Sequence, residues 1–321
     1  MSATMQPIAA QEAASQAILP KTKTSLLSNY AELMKPRVTS LVVATAWCGY
    51  FMGSMRSGIS SLSWTLLHTL LGIGIVAGGA AALNQVMERD VDARMRRTER
   101  RPLPAGRMGA LHAAIFGLAL LAGGSIYLAL TTNLLTGYLA FATAAAYLLF
   151  YTPLKQVTSL CTFVGAFPGA MPPLLGWTAA RGMLEWEALA LFAIVLLWQF
   201  PHFLAIAWMY AEDYASGGIR MLPVVQKDGR STTREILLYS TALIPVSIAP
   251  VVLGMTGGIY FVGAVLFSLA FFWVGLRLWR LRLAPSAPQS KKPARQLLQA
   301  SVIYLPLLFA LMMITALFHS A

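Results

Sequence analysis

Nine long apolar runs constrain this chain more than any other feature of its sequence. They lie at about 38–56, 62–87, 109–129, 131–151, 157–178, 186–211, 233–254, 257–278 and 296–318. Each run is close to the roughly 20 residues that an α-helix needs to cross about 30 Å of hydrocarbon. The runs are too long for membrane β-strands, and they do not alternate apolar with polar residues. The sequence therefore predicts an all-α polytopic membrane protein with nine transmembrane helices.

The distribution of positive charge predicts the orientation of these helices. With nine spans and a cytoplasmic N-terminus, 22 of the 24 Lys and Arg residues fall in the N-terminal tail and in the loops after the second, fourth, sixth and eighth spans. Only Arg56 and Arg181 fall on the other side. Cytoplasmic loops of membrane proteins are enriched in Lys and Arg, so this asymmetry favours a cytoplasmic N-terminus. The net charge of +12 then has a topological explanation and does not indicate nucleic-acid binding.

The chain divides into a tail and one membrane domain. Residues 1–34 are polar and are predicted to form a flexible cytoplasmic tail, followed by a membrane domain over 35–321. The tail has neither the short apolar core of a secretory signal nor the arginines of a mitochondrial presequence, so a bacterial inner membrane is the simplest location. Cys48 and Cys161 lie in or near predicted spans and are interpreted as packing residues.

A charged stretch, 84–107, joins the second and third apolar runs and contains four acids and seven arginines. On an α-helix, Asn84, Glu88 and Asp92 drift by only about 80° around the axis and so share one face. Oxygen ligands of this kind suit Mg²⁺, which takes one or two carboxylates and completes its shell with water and substrate phosphates. A solvated helix end in a basic loop explains the same spacing, so these residues alone leave both interpretations open.

Other polar or irregular segments lie within or beside later spans. Gly165–Trp177 contains three prolines and three glycines, which indicates either a structural kink or backbone that lines a cavity. Trp198, Gln199 and His202 lie in the sixth run, where a His is costly unless it has a partner or faces a wet interior. A second acidic loop, with Asp213, follows the sixth span as the first loop follows the second. That arrangement predicts two four-helix units that face each other across one pocket, plus a ninth helix.

Together these motifs resemble the UbiA superfamily of intramembrane prenyltransferases. The pattern N-x-x-x-E-x-x-x-D, followed by R-T-x-x-R-P-L-P-x-G-R, is similar to the first aspartate-rich motif of that superfamily. The blocks K-P-R, Y-T-P-L-K, P-G-A-M-P-P-L-L-G-W, W-Q-x-P-H-F and D-Y-x-x-x-G-I-x-M-L-P resemble its heme O synthase branch. The resemblance implies a nine-helix UbiA-type bundle with a cytoplasm-facing pocket. It also implies transfer of a farnesyl group from farnesyl diphosphate to a vinyl group of heme b, with Mg²⁺ as cofactor.

The resemblance assigns roles by position. It implies that Asn84, Glu88 and Asp92 bind the Mg–diphosphate, and Asp213 matches the last acid of the superfamily's second motif. Glu88 stands where Asp is usual, although a longer carboxylate can still ligate a metal. Met209 occupies the position of the second motif's first Asp, which weakens that half as a metal site. The second loop is therefore expected to recognise the acceptor more than the diphosphate.

The expected chemistry adds cations and aromatic residues to the site. An allylic diphosphate leaves when positive groups neutralise its growing charge, and aromatic faces can stabilise the allylic cation that remains. His202 is expected to orient or ligate heme. The predicted catalytic residues are Asn84, Glu88, Asp92, Lys155 and His202. The predicted substrate-binding residues are Arg37, Arg97, Arg101, Tyr151, Trp198, Gln199 and Asp213.

Two alternative functions remain open at this point. A UbiA-type prenyltransferase with another aromatic or chlorin acceptor would carry similar motifs. A secondary transporter for an anionic substrate is also built from repeats with broken helices, but its site usually lies near the membrane midplane rather than at one face. The expected partners are farnesyl diphosphate, heme b and the lipid bilayer, with a downstream heme-modifying enzyme or oxidase assembly factor as a further partner.

Overall fold

Long membrane-crossing helices make up most of the fold. The computed structural model describes residues 25–319, and all the regular elements in this range are helical. In chain order they are α1 (Leu26–Met34), α2 (Pro36–Ser57), α3 (Trp64–Met87), α4 (Arg89–Asp92), α5 (Ala110–Thr131), α6 (Leu134–Ala146), a π-helical turn (Tyr147–Tyr151), α7 (Thr152–Leu154), α8 (Cys161–Arg181), α9 (Trp186–Met209), α10 (Ala211–Ser216), α11 (Leu222–Val225), α12 (Arg230–Val252), α13 (Gly258–Arg280) and α14 (Pro288–His319).

Eight helical segments of the described chain are long and apolar enough to cross a membrane. The fourth of them, Leu134–Leu154, combines α6, the π-helical turn and α7. The fifth predicted span corresponds to α8, which is not among the eight although it has 21 residues. Most residues of α8 are buried by α2, α9 and other neighbours, so this helix needs little lipid-compatible surface. The all-α prediction is confirmed, and the count of nine spans stays a prediction.

The backbones of α2 and α8 touch where these helices cross. A Cβ atom added at Gly49 would lie 1.8 Å from the carbonyl oxygen of Pro173, and one added at Gly176 would lie 1.9 Å from that of Ala46. No other residue type fits at either position without moving a helix. Small residues allow such close approach between membrane helices, where packing rather than water exclusion holds helices together. This crossing joins the first unit of the bundle to the second.

Only the last part of the predicted N-terminal tail lies within the described residues. Residues 1–24 lie outside the described residues, and the next segment forms α1, which packs against α3. The Gln85 side chain of α3 donates from Nε2 to the carbonyl oxygen of Glu32 at 3.1 Å. The Glu32 carboxylate forms an ion pair with Arg107, at the end of the charged loop after α4. Both contacts fix α1 beside the helix that carries the first acidic motif.

Loops that the charge pattern assigns to one membrane side do lie together. The backbone N–H of Arg220, after the sixth predicted span, donates to the carbonyl oxygen of Lys155, after the fourth, at 2.7 Å. At the opposite end, Arg181 donates from Nη1 to Ser57 Oγ at 3.0 Å, one residue after Arg56. The two predicted external cations therefore share one end of the bundle, which agrees with the alternation of loops.

Reporter fusions test which end faces the cytoplasm. We expect a reporter fused after Arg107 or Lys227 to be cytoplasmic and one fused after Gly182 or Ala321 to lie on the other side, because the positive residues cluster at the first end. The measurement compares a reporter that is active only in the cytoplasm with one that is active only outside it. A cytoplasmic signal at Ala321 would show that the number of spans is even and the prediction of nine is wrong.

Candidate active site

A cavity of about 430 Å³ lies between the two helix units. Its walls come from α2, α3, α6, α8 and α9 and from the loops that follow α4 and α10. Seven charged or amide side chains line one end: Lys35, Asn84, Glu88, Asp92, Arg97, Arg101 and Lys155. The other end is apolar and includes Val42, Ile73, Val76, Ala80, Ala140, Ala144 and Leu175. The cavity therefore suits a molecule with an anionic head and a hydrocarbon tail.

The predicted face of Asn84, Glu88 and Asp92 forms as the helical spacing requires. The backbone N–H of Glu88 donates to the Asn84 carbonyl oxygen at 3.0 Å, and that of Asp92 donates to the Glu88 carbonyl oxygen at 2.7 Å. The helical turn thus continues from α3 into α4 although Glu88 itself leaves helical geometry. All three side chains are buried and line the cavity.

Both carboxylates are paired with cations of the same cavity. Lys155 Nζ lies 2.8 Å from Glu88 Oε1, and Arg101 Nη1 lies 2.7 Å from Asp92 Oδ2. A buried carboxylate without such a partner would be strongly destabilising, so the ion pairs allow two acids to remain here. Burial opposes the charge of Lys155, but Tyr151 and Glu88 beside it raise its pKa, which keeps the ammonium group charged at neutral pH.

Lys35 is a cavity residue that was not predicted from the sequence. The K-P-R motif pointed to Arg37, which is exposed and does not line the cavity, whereas Lys35 Nζ donates to Asn84 Oδ1 at 2.9 Å. Lys35 links α1 to α2 in a left-handed conformation with φ of 48°, and the only sequence signal for it is Pro36 at the first position of α2. Burial, together with the neighbouring cations, lowers the pKa of Lys35 to about 7.

Aromatic and amide side chains line the cavity beyond the charged end. The Tyr151 ring centroid lies 4.5 Å from Lys155 Nζ, and the Phe203 ring also lines the wall. Gln199, predicted to bind substrate, donates from Nε2 to the Ala166 carbonyl oxygen of α8 at 3.1 Å. Aromatic faces stabilise nearby cations, so this part of the wall can contact an allylic cation as well as an ammonium group.

The proline-rich segment lines the cavity as one continuous helix. The sequence left open whether these prolines kink a helix or border a pocket. In the structure α8 runs through all three prolines, and five of its residues face the cavity: Gly165, Pro168, Gly169, Pro172 and Leu175. Proline lacks the N–H that would bond the carbonyl four residues earlier, and burial of α8 between neighbouring helices makes such a backbone tolerable.

The loop after α4 and the short helix α10 are bonded to each other beside the charged end. Asp213 Oδ1 accepts from the backbone N–H of Arg96 at 2.8 Å. The Arg97 guanidinium donates to the Tyr214 hydroxyl at 3.2 Å and lies over the rings of Tyr210 and Tyr214. Arg97 and Tyr214 line the cavity, whereas Asp213 does not. Asp213 thus joins α10 to the loop after α4 and lies outside the cavity lining.

Residues 41–298 match the family model described as the UbiA prenyltransferase family. This chain belongs to that family. The match covers most of the chain, and it confirms the family that the motifs resemble. The chain is therefore an intramembrane prenyltransferase with a multi-pass helical fold.

Relatives and solved structures of the UbiA family agree with this assignment. The protoheme IX farnesyltransferase of Koribacter versatilis is 58% identical over 290 residues, which is 90% of this chain and 94% of the relative. That of Solibacter usitatus is 47% identical over 298 residues, 90% and 98% of the two chains. A structure of digeranylgeranylglyceryl phosphate synthase has a TM-score of 0.73 at 19% identity and covers 91% of this chain and 99% of its own. A UbiA homolog from Archaeoglobus fulgidus bound to GPP and Mg²⁺ has a TM-score of 0.59 at 15% identity and covers 88% and 99%.

The donor set of this UbiA chain fits a metal that is shared with a substrate. Within residues 25–319, no three His, Cys, Asp or Glu side chains are grouped so that they could hold a metal by themselves. Glu88 and Asp92, with the Asn84 carboxamide, offer two carboxylates and one neutral oxygen on one buried face. Mg²⁺ keeps water and phosphate oxygens in its shell, so this partial set fits it.

His202 and Trp198 lie on another face of α9, away from the cavity of the UbiA fold. His202 Nδ1 lies 2.8 Å from Ser301 Oγ, and Trp198 Nε1 donates to the Ser301 carbonyl oxygen at 2.8 Å. Successive helical residues are about 100° apart, which explains why Phe203 lines the cavity and His202 contacts α14. The role of His202 and Trp198 toward an acceptor stays a prediction, and no cavity contact supports it.

A pair of substitutions tests the role of Asp213. We expect Asp213→Asn to retain most activity, because the amide keeps Oδ1 as an acceptor and changes only Oδ2, which has no hydrogen-bond partner within the described residues. Asp213→Ala removes the acceptor from Arg96 and should raise KM for the prenyl diphosphate by about fivefold, since one intramolecular hydrogen bond is worth roughly 1 kcal/mol. Steady-state kinetics of both variants measure KM for the prenyl diphosphate. Equal loss in both would mean that the negative charge itself is needed.

Proposed function

We propose that this chain transfers a farnesyl group from farnesyl diphosphate to a vinyl group of heme b, in the inner membrane of a bacterium and from the cytoplasmic side. The single observation that carries the proposal is the division of the cavity into a charged end and an apolar end. An allylic diphosphate has the same division. The acceptor is inferred from the relatives named protoheme IX farnesyltransferase, which are up to 58% identical to this chain.

The acidic face is the proposed site of the metal. Asn84, Glu88 and Asp92 would hold Mg²⁺ together with the diphosphate, because all three present oxygen atoms to the charged end of the cavity. Mg²⁺ bound there offsets the negative charge that grows on a departing diphosphate. The three side chains also fix the diphosphate at the cytoplasmic end of α3, with its first carbon toward the apolar end.

The cations of the cavity would neutralise the leaving diphosphate. Arg101 and Lys155 now pair with Asp92 and Glu88, and both lie within hydrogen-bond reach of the oxygens that a metal would take. With the carboxylates holding a metal, these cations would be available to contact phosphate oxygens. Preorganised charges of this kind act strongly in a site that excludes water. Arg97, in the loop after α4, adds a further cation.

The aromatic wall would receive the allylic cation. Tyr151 and Phe203 line the cavity beyond the charged end, where their ring faces can stabilise positive charge. The first carbon of the farnesyl group then bonds to the terminal vinyl carbon of the porphyrin. Water supplies a hydroxyl to the other vinyl carbon and loses a proton, which gives a hydroxyethylfarnesyl side chain. Apolar walls keep other water away from the cation before the acceptor captures it.

One assay tests the proposed function. Purified protein is incubated with heme b, farnesyl diphosphate and Mg²⁺, and the heme is analysed by mass spectrometry. We expect the mass to increase by one farnesyl group plus one hydroxyl, and we expect a chelator to prevent the change. Prenylation of another aromatic or chlorin acceptor, with heme b unchanged, would overturn the acceptor. Transport of a prenyl diphosphate into vesicles without its cleavage would instead support the transporter.

A further inference from the structure

The depth of the cavity can be measured along α3. The residues of this helix that line the cavity extend from Asn84 at the charged end to Ile73 in the membrane interior. An α-helix rises 1.5 Å per residue, so the distance along the axis between these two residues is about 16 Å. Between them the helix contributes only small or branched apolar side chains to the wall: Val76, Ala77, Ala80 and Ala81. The cavity is therefore an apolar channel about three helical turns deep.

A packed floor closes this channel. On each of α2, α3, α6 and α8, the lining residue farthest from the charged end is apolar: Val42, Ile73, Ala140 and Leu175. The last three belong to one buried hydrophobic cluster, with Val42 packed against it, and their exposed fractions are 2%, 1% and 4%. The same cluster includes Leu121 and Leu128, which do not line the cavity, so packed side chains lie beyond this end of the channel.

We propose that Ile73, with Ala140 and Leu175, sets the length of the prenyl donor at three isoprene units. The inference rests on the proposed function only in that a prenyl diphosphate occupies the cavity. Three successive carbon–carbon bonds extend by at most about 3.6 Å, so the twelve-carbon main chain of a farnesyl group, with its eleven bonds, spans at most about 13 Å. It fits the channel between Asn84 and the floor.

Shorter and longer donors fit less well. The main chain of a geranylgeranyl group has sixteen carbons and spans up to about 18 Å, which is longer than the channel. A geranyl group spans only about 8 Å and leaves the deep part of the channel unfilled, so less apolar surface is buried. The longer chain is therefore excluded by steric overlap with the floor. The shorter chain binds more weakly because it buries less apolar surface.

Binding measurements on floor variants test this proposal. Geranyl, farnesyl and geranylgeranyl diphosphate are titrated into purified protein with Mg²⁺ by calorimetry, without an acceptor. We expect wild type to prefer farnesyl diphosphate by about tenfold or more. Ile73→Ala should raise the affinity for geranylgeranyl relative to farnesyl diphosphate by about tenfold, because it opens the floor. Ala140→Leu should shift the preference toward geranyl diphosphate, because it fills the deep end.

Ile75→Ala is the matched control. Ile75 lies on the same helix, against Gly124 of α5, and does not line the cavity, so the same substitution should leave the order of preference unchanged. An unchanged ratio in Ile73→Ala, or an equal change in Ile75→Ala, would overturn the proposal. Loss of all binding in both floor variants, with Ile75→Ala still binding, would equally reject a length stop. No acceptor is present in these titrations, so they test the length stop even if the protein does not prenylate heme.

Discussion

Asp92→Asn is expected to lower prenyl transfer by about a hundred- to a thousandfold while the protein still folds in the membrane. The substitution keeps the shape of the side chain but removes a negative charge from the proposed metal shell. It also leaves the Arg101 guanidinium, 2.7 Å from Asp92 Oδ2, without its anionic partner. Initial rates over a range of Mg²⁺ concentrations measure the effect, and thermal unfolding of the purified protein checks that it is folded. Glu88→Gln should behave similarly, with Lys155 as the affected cation.

Asp90→Asn provides the control for this prediction. Asp90 lies in the same short helix, α4, but its side chain is 86% exposed and does not line the cavity. The same change of charge at this position should alter the rate by no more than about twofold, since exposed charges interact weakly. Full activity in Asp92→Asn, or an equal loss in Asp90→Asn, would remove the acidic face from the mechanism.

Gly49→Ala is expected to destabilise the whole bundle. The new methyl group would lie 1.8 Å from the Pro173 carbonyl oxygen, which is backbone and cannot rotate away. Separating α2 from α8 would open the contact at Gly176 as well. Overpacking of this kind costs roughly 1–3 kcal/mol or more, and the midpoint of thermal unfolding should fall by roughly 5 °C or more. Prenyl transfer should fall with it, since both helices line the cavity.

Gly123→Ala separates this packing effect from a general effect of helix glycines. Gly123 lies within α5, and a Cβ atom added there would meet nothing within 4 Å. Alanine has the higher helix propensity, so this variant should be as stable as the parent or slightly more stable. Circular dichroism during heating compares the two variants directly. Comparable losses in both would show that the contact at Gly49 is not what limits stability.

The path of the chain through the membrane was predictable because hydrocarbon leaves few choices. Every lipid-exposed backbone group needs a partner within its own helix, so each long apolar run had to become a helix. This requirement is weaker where an apolar run is surrounded by protein, because neighbouring helices shield its backbone from lipid. The segment Cys161–Arg181 is buried by neighbouring helices, and its three prolines persist inside a continuous helix. The last helix begins at Pro288, earlier than its apolar run, and Lys291 in its polar start donates to the carbonyl oxygen of Met209, a contact that the local sequence does not reveal.

The site was predictable only where local spacing decides it. Asn84, Glu88 and Asp92 share a face by helical geometry alone. Lys35 reaches the same face through a left-handed backbone conformation at a helix junction, which no spacing rule reveals. Asp213 bonds to a backbone N–H that is 117 residues away in sequence, so its partner could not be read from its own motif. A contact between two segments that are far apart in sequence can be identified only once the fold is known.

The pairing of the cavity's acids with its own cations also determines how ligands can enter. A metal ion that arrived alone would have to draw Glu88 and Asp92 away from Lys155 and Arg101, and a diphosphate that arrived alone would have to draw the same cations away from the acids. If metal and diphosphate arrived together, the acids would pair with the metal and the cations with the diphosphate, so each broken ion pair would be replaced. Metal and diphosphate should therefore bind with positive cooperativity, and thermodynamic reciprocity requires each to tighten the other by the same factor. On the proposed function, this internal balance of charge would make the resting protein favour the magnesium–diphosphate complex over either component.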